Sequence, residues 1–196
     1  MATTIRSDLH DCLRQATKAS HRLLDHHPLL APLARNDLTL AQYGDALAAL
    51  YCVYAPLEKG IDAFLAIRPA LFDYHRRRKL PALKEDLAAL GLVPRKREMG
   101  YPVPTTIPEL VGVLYTVEGS AMGGQSIASC LRRGGFAVLP MRFFSGYGEG
   151  AELRWREFLT FADETCPTAD RQSAAATAVS LFQAIKTHLD EWRSGD

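Results

Sequence analysis

Residues 106–135 read TIPELVGVLYTVEGSAMGGQSIASCLRRGG. The run is long enough for about seven helical turns, and both of its ends carry helix signals. Thr106 precedes the first apolar residue, Pro108 sits in the opening turn, and Gly134 with Gly135 follows the last arginine. Within the run Gly119, Gly123 and Gly124 together give up about 2–3 kcal/mol of intrinsic helix propensity relative to alanine. Gly119 and Gly123 are four apart and share a face. Spacing alone leaves two readings of that face: a neighbouring helix packs closely against the bare backbone, or a flat ligand lies on it.

The remainder of the chain follows the same period. No stretch alternates every second residue for long enough to form a half-buried sheet, and the expected fold class is all-α, a single multi-helical domain over residues 1–196. Ser7 is placed to cap a first helix running to about His26, with Leu9, Leu13, Ala16, Ser20, Leu23 and Leu24 as its apolar stripe and Pro28 as its stop. Thr39 and Gln42 stand at capping-box spacing in LTLAQYGDALAALYCVYAPLEKGIDAFLAI, which is apolar on several sides and therefore central, with a kink expected at Pro56. FDYHRRRKLPALKEDLAALG predicts another helix, with Pro81 near the start of its last part and Gly91 at the C′ position. VPRKREMGYPVPTT and FAVLPMRFFSGYGEG read as loops, and two helices close the chain, from roughly Ala151 to Thr165 and from about Ala169 to Trp192, separated by Pro167.

With 196 residues, 47% of them hydrophobic, the chain can bury one full core. A net charge of +1 supplies no global field toward an anionic membrane or nucleic acid, and no nucleic-acid recognition motif is present. Cys12, Cys52, Cys130 and Cys166 lie far apart without a CxxC pair, which argues against a zinc site or disulfide framework and suits a reducing compartment. The start MATTIRSDLHDCLRQ lacks an apolar signal core, and no run approaches the roughly 18 apolar residues that span a bilayer, so a soluble cytoplasmic protein is expected.

On the first helix, stepping about 100° per residue places His21 at the edge of the apolar stripe beside Thr17, with Lys18 and Arg14 one and two turns away. A histidine there is either a partly buried residue bonded to a neighbour or an axial ligand to a heme iron, with Lys18 and Arg14 set to meet anionic propionates. His26 and His27 read as solvent-facing residues of a frayed helix end, and His10, His75 and His188 show no metal spacing. The paired Glu-x-x-His pattern of a di-iron carboxylate bundle is missing.

LRQATKASHRLLD and LYTVEGSAMGGQSI together resemble the proximal and distal helices of the haem (heme) oxygenase family, in particular its bacterial branch. LTLAQYGDALAALYCVYAPLE, LKEDLAALG, FFSGYGEGAELRWREF and ATAVSLFQAI extend the likeness over nearly the whole chain in the expected order. The resemblance implies a heme sandwiched between two helices, serving as substrate and prosthetic group at once. O2 and electrons open it to biliverdin, carbon monoxide and ferrous iron. It further implies that His21 ligates the iron and that the segment from Gly119 to Gly124 forms the distal wall, where Gly119 and Gly123 let the main chain crowd bound O2 toward the ring edge. Ser120 stands where mammalian members carry an aspartate that organises distal water. Ser120 itself, the Gly119 carbonyl and an arginine on a neighbouring helix are the candidates to anchor it.

By the same likeness Thr17, Lys18 and Arg14 line the cofactor on the first helix, and Phe182 matches an aromatic lining the pocket, though it could equally be core. Tyr115 and Met122 either face the pocket or are simply buried, while Glu118 points about 100° away from Gly119 and is not expected to take part. HRRRK, His75 to Lys79, reads as a solvated helix face or as a docking site for an acidic electron donor such as a ferredoxin or flavoprotein reductase. A biliverdin-accepting protein is a further expected partner. Two rival functions stand beside this one: a heme-binding carrier or sensor on the same fold, and a helical enzyme of the thiaminase-like relatives, which needs a cysteine or carboxylate site.

Overall fold

The computed structural model of the chain describes residues 8–194 with the exception of 36, 94–96, 98 and 102, and among the described residues there are helices and no strand. The helices are α1 (Asp8–Asp25), α2 (Leu40–Ala66), α3 (Leu80–Ala89), α4 (Ile107–Arg133), α5 (Arg142–Ser145), α6 (Ala151–Thr165) and α7 (Arg171–Ser194). Their ends follow from local chemistry. Both long central helices open on a capping box: Thr39 accepts from the Gln42 N–H of α2 while Gln42 accepts from the Thr39 N–H, and Thr106 and Glu109 do the same for α4. α3 and α4 end in Schellman turns with Gly91 and Gly135 at positive φ, the Leu92 N–H donating to the Leu87 carbonyl and the Phe136 N–H to Leu131. The expected cap Ser7 lies outside the described residues, as does part of the loop expected at 93–106.

α2 runs through Pro56. A proline there leaves the Cys52 carbonyl without its usual helical donor, and the Met99 N–H supplies one from the following loop at 3.3 Å. The helix expected across 72–91 is divided: His75–Arg77 form a single 3-10 turn and α3 begins at Leu80, with Pro81 in its first turn. The proline has no N–H to give to a preceding turn and fits where none is required. The 141–150 loop contains the short α5, whose first N–H groups, on Arg142 and Phe143, donate to the buried Asp86 carboxylate of α3 at 3.0 and 2.9 Å.

α4 is the hub, packing against α5, α6 and α7, and α7 in turn packs against α1. α1 and α7 run parallel and in register: Arg171 meets Asp8 at one end and His27 meets Asp190 at the other, both pairs separated by 163 residues. The close approach that small residues permit falls at Gly112, where a Cβ would collide with the Ala174 carbonyl of α7. On α1 the stripe covered by its neighbours is Leu9, Leu13 and Thr17, with Ser20 and Leu24 half-buried; Ala16 and Leu23, expected within it, are exposed because nothing packs over that flank. His27 corrects the expectation of a solvent-facing residue. It is buried, with Nε2 bonded to Asp190 at 3.1 Å and Nδ1 accepting the Leu29 N–H, so it closes the α1–α7 pair.

Candidate functional site

All the sequence-derived site residues except Phe182 fall on two helices, α1 and α4, which meet where Thr17 stands 3.5 Å from the Tyr115 hydroxyl. Thr17 is buried and donates to the Leu13 carbonyl of its own helix, while burial raises the Tyr115 phenol against the opposing pull of Thr17 and the Arg14 charge. One turn beyond Thr17, His21 turns outward with its side chain 61% exposed. Its Nδ1 is bonded to the Asp25 carboxylate at 2.9 Å, and a carboxylate can only accept, so Nδ1 carries a proton and the neutral ring has its lone pair on Nε2. The ring lies 5.8 Å from that of Phe182 on α7, which is itself buried. Lys18 and Arg14 are exposed on the same helix.

On α4 the glycines do not share one environment. Gly123 is exposed, and a Cβ added there meets nothing within 4 Å; at Gly119 a Cβ would touch only the Trp155 ring of α6, at 3.9 Å. Neither is therefore a helix-packing glycine. Gly124 is one: it is buried, and its Cβ position lies 3.0 Å from the Phe144 carbonyl of α5, which turns it away from the open face and corrects its place in the expected distal wall. Ser120 is exposed, and its hydroxyl reaches toward α2. Its hydroxyl donates to the Val117 carbonyl at 2.7 Å, so it accepts from the Tyr54 hydroxyl of α2 at 2.5 Å. Burial, with Glu58 and Glu118 adding to it, pushes the Tyr54 phenol up and keeps it protonated. Met122 is half-buried beside Gly123.

The His21 imidazole on α1 and the side-chain-free Gly119 and Gly123 on α4 are the two candidate walls of the site. The sequence model of the Heme oxygenase family matches residues 7–190. The chain belongs to the heme oxygenase family. It is 29% identical over 168 residues to a heme oxygenase of Xanthomonas campestris pv. campestris (strain 8004), covering 82% of this chain and 94% of that one. The fold is shared with the heme oxygenase of Leptospira interrogans, at a TM-score of 0.75 and 16% identity over 94% of this chain and all of that one. It is shared equally with NO- and CO-bound heme oxygenase from Neisseria meningitidis (TM-score 0.77, 19% identity, 95% and 92% of the two chains). Heme oxygenase-1 of the cyanobacterium Synechocystis sp. PCC6803, solved in complex with heme, gives a TM-score of 0.71 at 17% identity over 96% and 94%. The all-α expectation and the heme oxygenase function read from the sequence hold.

Three groups at this heme oxygenase site escape a sequence reading. Trp155 lies between Gly119 and α1, its ring 5.6 Å from His10 and 5.9 Å from Tyr115, but a tryptophan on an amphipathic helix looks like core. Tyr54 sits mid-helix in an apolar run, and only its distance to Ser120 reveals it. The third group is a buried charge cluster under α4. HRRRK is not a uniformly solvated face: Arg77 and Lys79 are 3% and 5% exposed, and both reach Glu118, which is 1% exposed. Arg77 donates to Glu118 at 2.9 Å and to Glu157 at 2.7 Å; Lys79 donates to the Arg77 carbonyl and the Tyr147 hydroxyl, and Tyr147 donates to Glu118 at 2.9 Å. Glu118 indeed points away from the Gly119 face, and its role is to tie the helix down from behind.

Proposed function

We propose that the chain binds heme between α1 and α4 and consumes it as substrate, with His21 Nε2 as the iron ligand. When bound, heme supplies the iron at which O2 and electrons open its own ring to biliverdin, carbon monoxide and ferrous iron. The observation that carries the assignment is the His21–Asp25 hydrogen bond at 2.9 Å, because metal-ligating histidines commonly donate the other ring N–H to a carboxylate, which fixes the tautomer and raises ligand basicity. The exposed His21 ring and the open space at Gly123 also suit a flat macrocycle. Phe182 packs beside the imidazole and limits its rotation. Lys18 and Arg14, one and two helical turns before His21 and both exposed, are placed to meet propionates.

On the other face the absent side chains of Gly119 and Gly123 bring the main chain down onto the reacting ligand and exclude bulk. Ser120 with Tyr54 replaces an aspartate by two neutral hydroxyls. Both protons of that pair are committed, to Val117 and to Ser120, so it offers lone pairs that hold a water by accepting from it. Burial keeps Tyr54 protonated, so it fixes the Ser120 hydroxyl by donating to it and is too weak an acid to release that proton itself. Thr17 and Tyr115 hold the two walls at their junction, with Met122 bordering Gly123. Among the described residues no helix is long and apolar enough to cross a membrane. The reading assigns residues 1–196 to one cytoplasmic domain that takes electrons from a ferredoxin or flavoprotein and hands biliverdin to an acceptor protein.

The test is a hemin titration followed by reduction under O2. Wild-type protein is expected to form a saturable complex whose Soret band is replaced by a biliverdin spectrum. His21→Ala is expected to lose turnover by about 100-fold or more and to recover part of it with added imidazole. A stable Soret band in the reduced, oxygenated wild type identifies a carrier or sensor instead, and His21→Ala turning over normally without imidazole overturns the ligand assignment.

A further inference from the structure

Glu118 and Gly119 are adjacent on α4, and Arg154 and Trp155 are adjacent on α6. The first residue of each pair meets Arg77, and the second residue of each pair meets the other. One Nη of Arg77 donates to Glu118 Oε2 at 2.9 Å and to the Arg154 carbonyl at 3.0 Å, and the second Nη donates to Glu157 Oε2 at 2.7 Å. One residue further along both helices, the Trp155 ring lies 3.9 Å from where a Gly119 Cβ would stand. Arg77 is itself fixed: its guanidinium lies 4.7 Å over the Phe72 ring, Phe72 packs on Phe161 of α6 at 4.6 Å, and the Arg77 carbonyl accepts from the Lys79 ammonium at 2.8 Å.

We propose that Arg77 is a positioning residue for the heme reaction, tying α4 to α6 through Glu118, the Arg154 carbonyl and Glu157 so that the Trp155 indole stays against Gly119 and sets the width of the heme site there. Stability alone does not account for such a cluster, since a buried ion network is often no more stabilising than apolar residues of the same volume. What it supplies is direction. A planar fork with several fixed donors can hold two helices at one spacing, which a lysine's single ammonium cannot. The three cations, Arg77, Lys79 and Arg154, face three carboxylates, Glu118, Glu157 and Glu58, so the cluster acts on the site through position and not through net charge.

The proposal rests on the heme reading above, and its test separates the two. Glu157 is 42% exposed and borders an open cleft of about 670 Å³, so Glu157→Gln weakens one of the clamp's two α6 contacts and leaves the Arg154 carbonyl contact and the buried Arg77–Glu118 pair in place. In heme-free protein, acrylamide quenching of indole fluorescence reports Trp155, because Trp192 is buried and bonded to Asp45. Quenching is expected to rise in Glu157→Gln and in Arg77→Lys. Hemin affinity is expected to weaken by on the order of threefold to tenfold in Glu157→Gln, and the same substitution is expected to have no further effect in a Trp155→Ala background. Wild-type quenching in Glu157→Gln, or a weakening that persists undiminished without Trp155, overturns the proposal. Should wild-type protein take up no hemin, the heme reading falls, while the quenching measurement still decides whether the clamp holds Trp155.

Discussion

Gly112 and Gly123 sit eleven residues apart on one helix and carry opposite meanings. At Gly112 a side chain collides with the Ala174 backbone and crowds Thr177 and Ala178; at Gly123 it enters open space. Leucine at Gly112 should therefore cost on the order of 3 kcal/mol through a forced shift of α7. Leucine at Gly123 should instead raise stability by up to about 0.8 kcal/mol, the propensity that glycine forgoes in a helix interior. The same Gly123→Leu protein is expected to lose most of its turnover, because the new side chain occupies the space left for the reacting ligand. Thermal melts set beside single-turnover rates check this: a Gly123→Leu variant that melts lower than wild type, or turns over at the same rate, removes Gly123 from the site. Sequence spacing marks Gly119 and Gly123 as one face but cannot say what lies against it. The answer depends on where α6 and α7 pass, and those are placed by contacts far away in the chain.

At the scale of elements, the parts most legible beforehand are those governed by near neighbours. The capping boxes at Thr39 and Thr106, the Gly91 and Gly134–Gly135 stops and the bounds of α6 all follow from residues within one turn. What stays hidden is the segment whose conformation is set at long range. His75–Lys79 has the composition of a solvated face, yet Glu58, Glu118 and Glu157, from three different helices, draw two of its cations inside. That burial leaves a measurable trace, because it brings the Lys79 ammonium from 10.5 down to about 8. The folded value lies below the unfolded one, so between the two the unfolded chain binds more protons, and stability rises with pH through this group from about 8 to about 10.5. Comparison with Lys79→Met cancels the tyrosines that titrate in the same range. Urea unfolding at pH 7.5 and 10.5 should show the wild type gaining up to about 3 kcal/mol relative to the variant. Parallel pH curves for the two proteins would mean that Lys79 is solvated in solution.

For the whole molecule, the arrangement puts its least supported surface where function is assigned. α1 is held along one side by α7, through Asp8–Arg171 at one end and His27–Asp190 at the other, while Ala16, Leu23 and, on a different flank, His21 are exposed. α4 by contrast is buried through most of its first half, from Leu110 to Glu118, and exposes Ser120 and Gly123 beyond it. A rigid wall and a partly uncovered one face each other, so a ligand bridging them supplies contacts that the protein alone lacks. Such a ligand stabilises the folded state by mass action, about 2.7 kcal/mol at one hundred times its dissociation constant. For a chain of this size that corresponds to a rise in Tm of about 5–10 °C on saturation with hemin. His21→Ala should keep the heme-free Tm, since its ring is exposed and bonded only to Asp25 of the same helix, and should lose most of the hemin-induced rise. Calorimetry of both proteins with and without hemin separates the possibilities. A full rise in the variant would mean that heme is held by its edges and by α4 alone, and that the iron finds its ligand elsewhere.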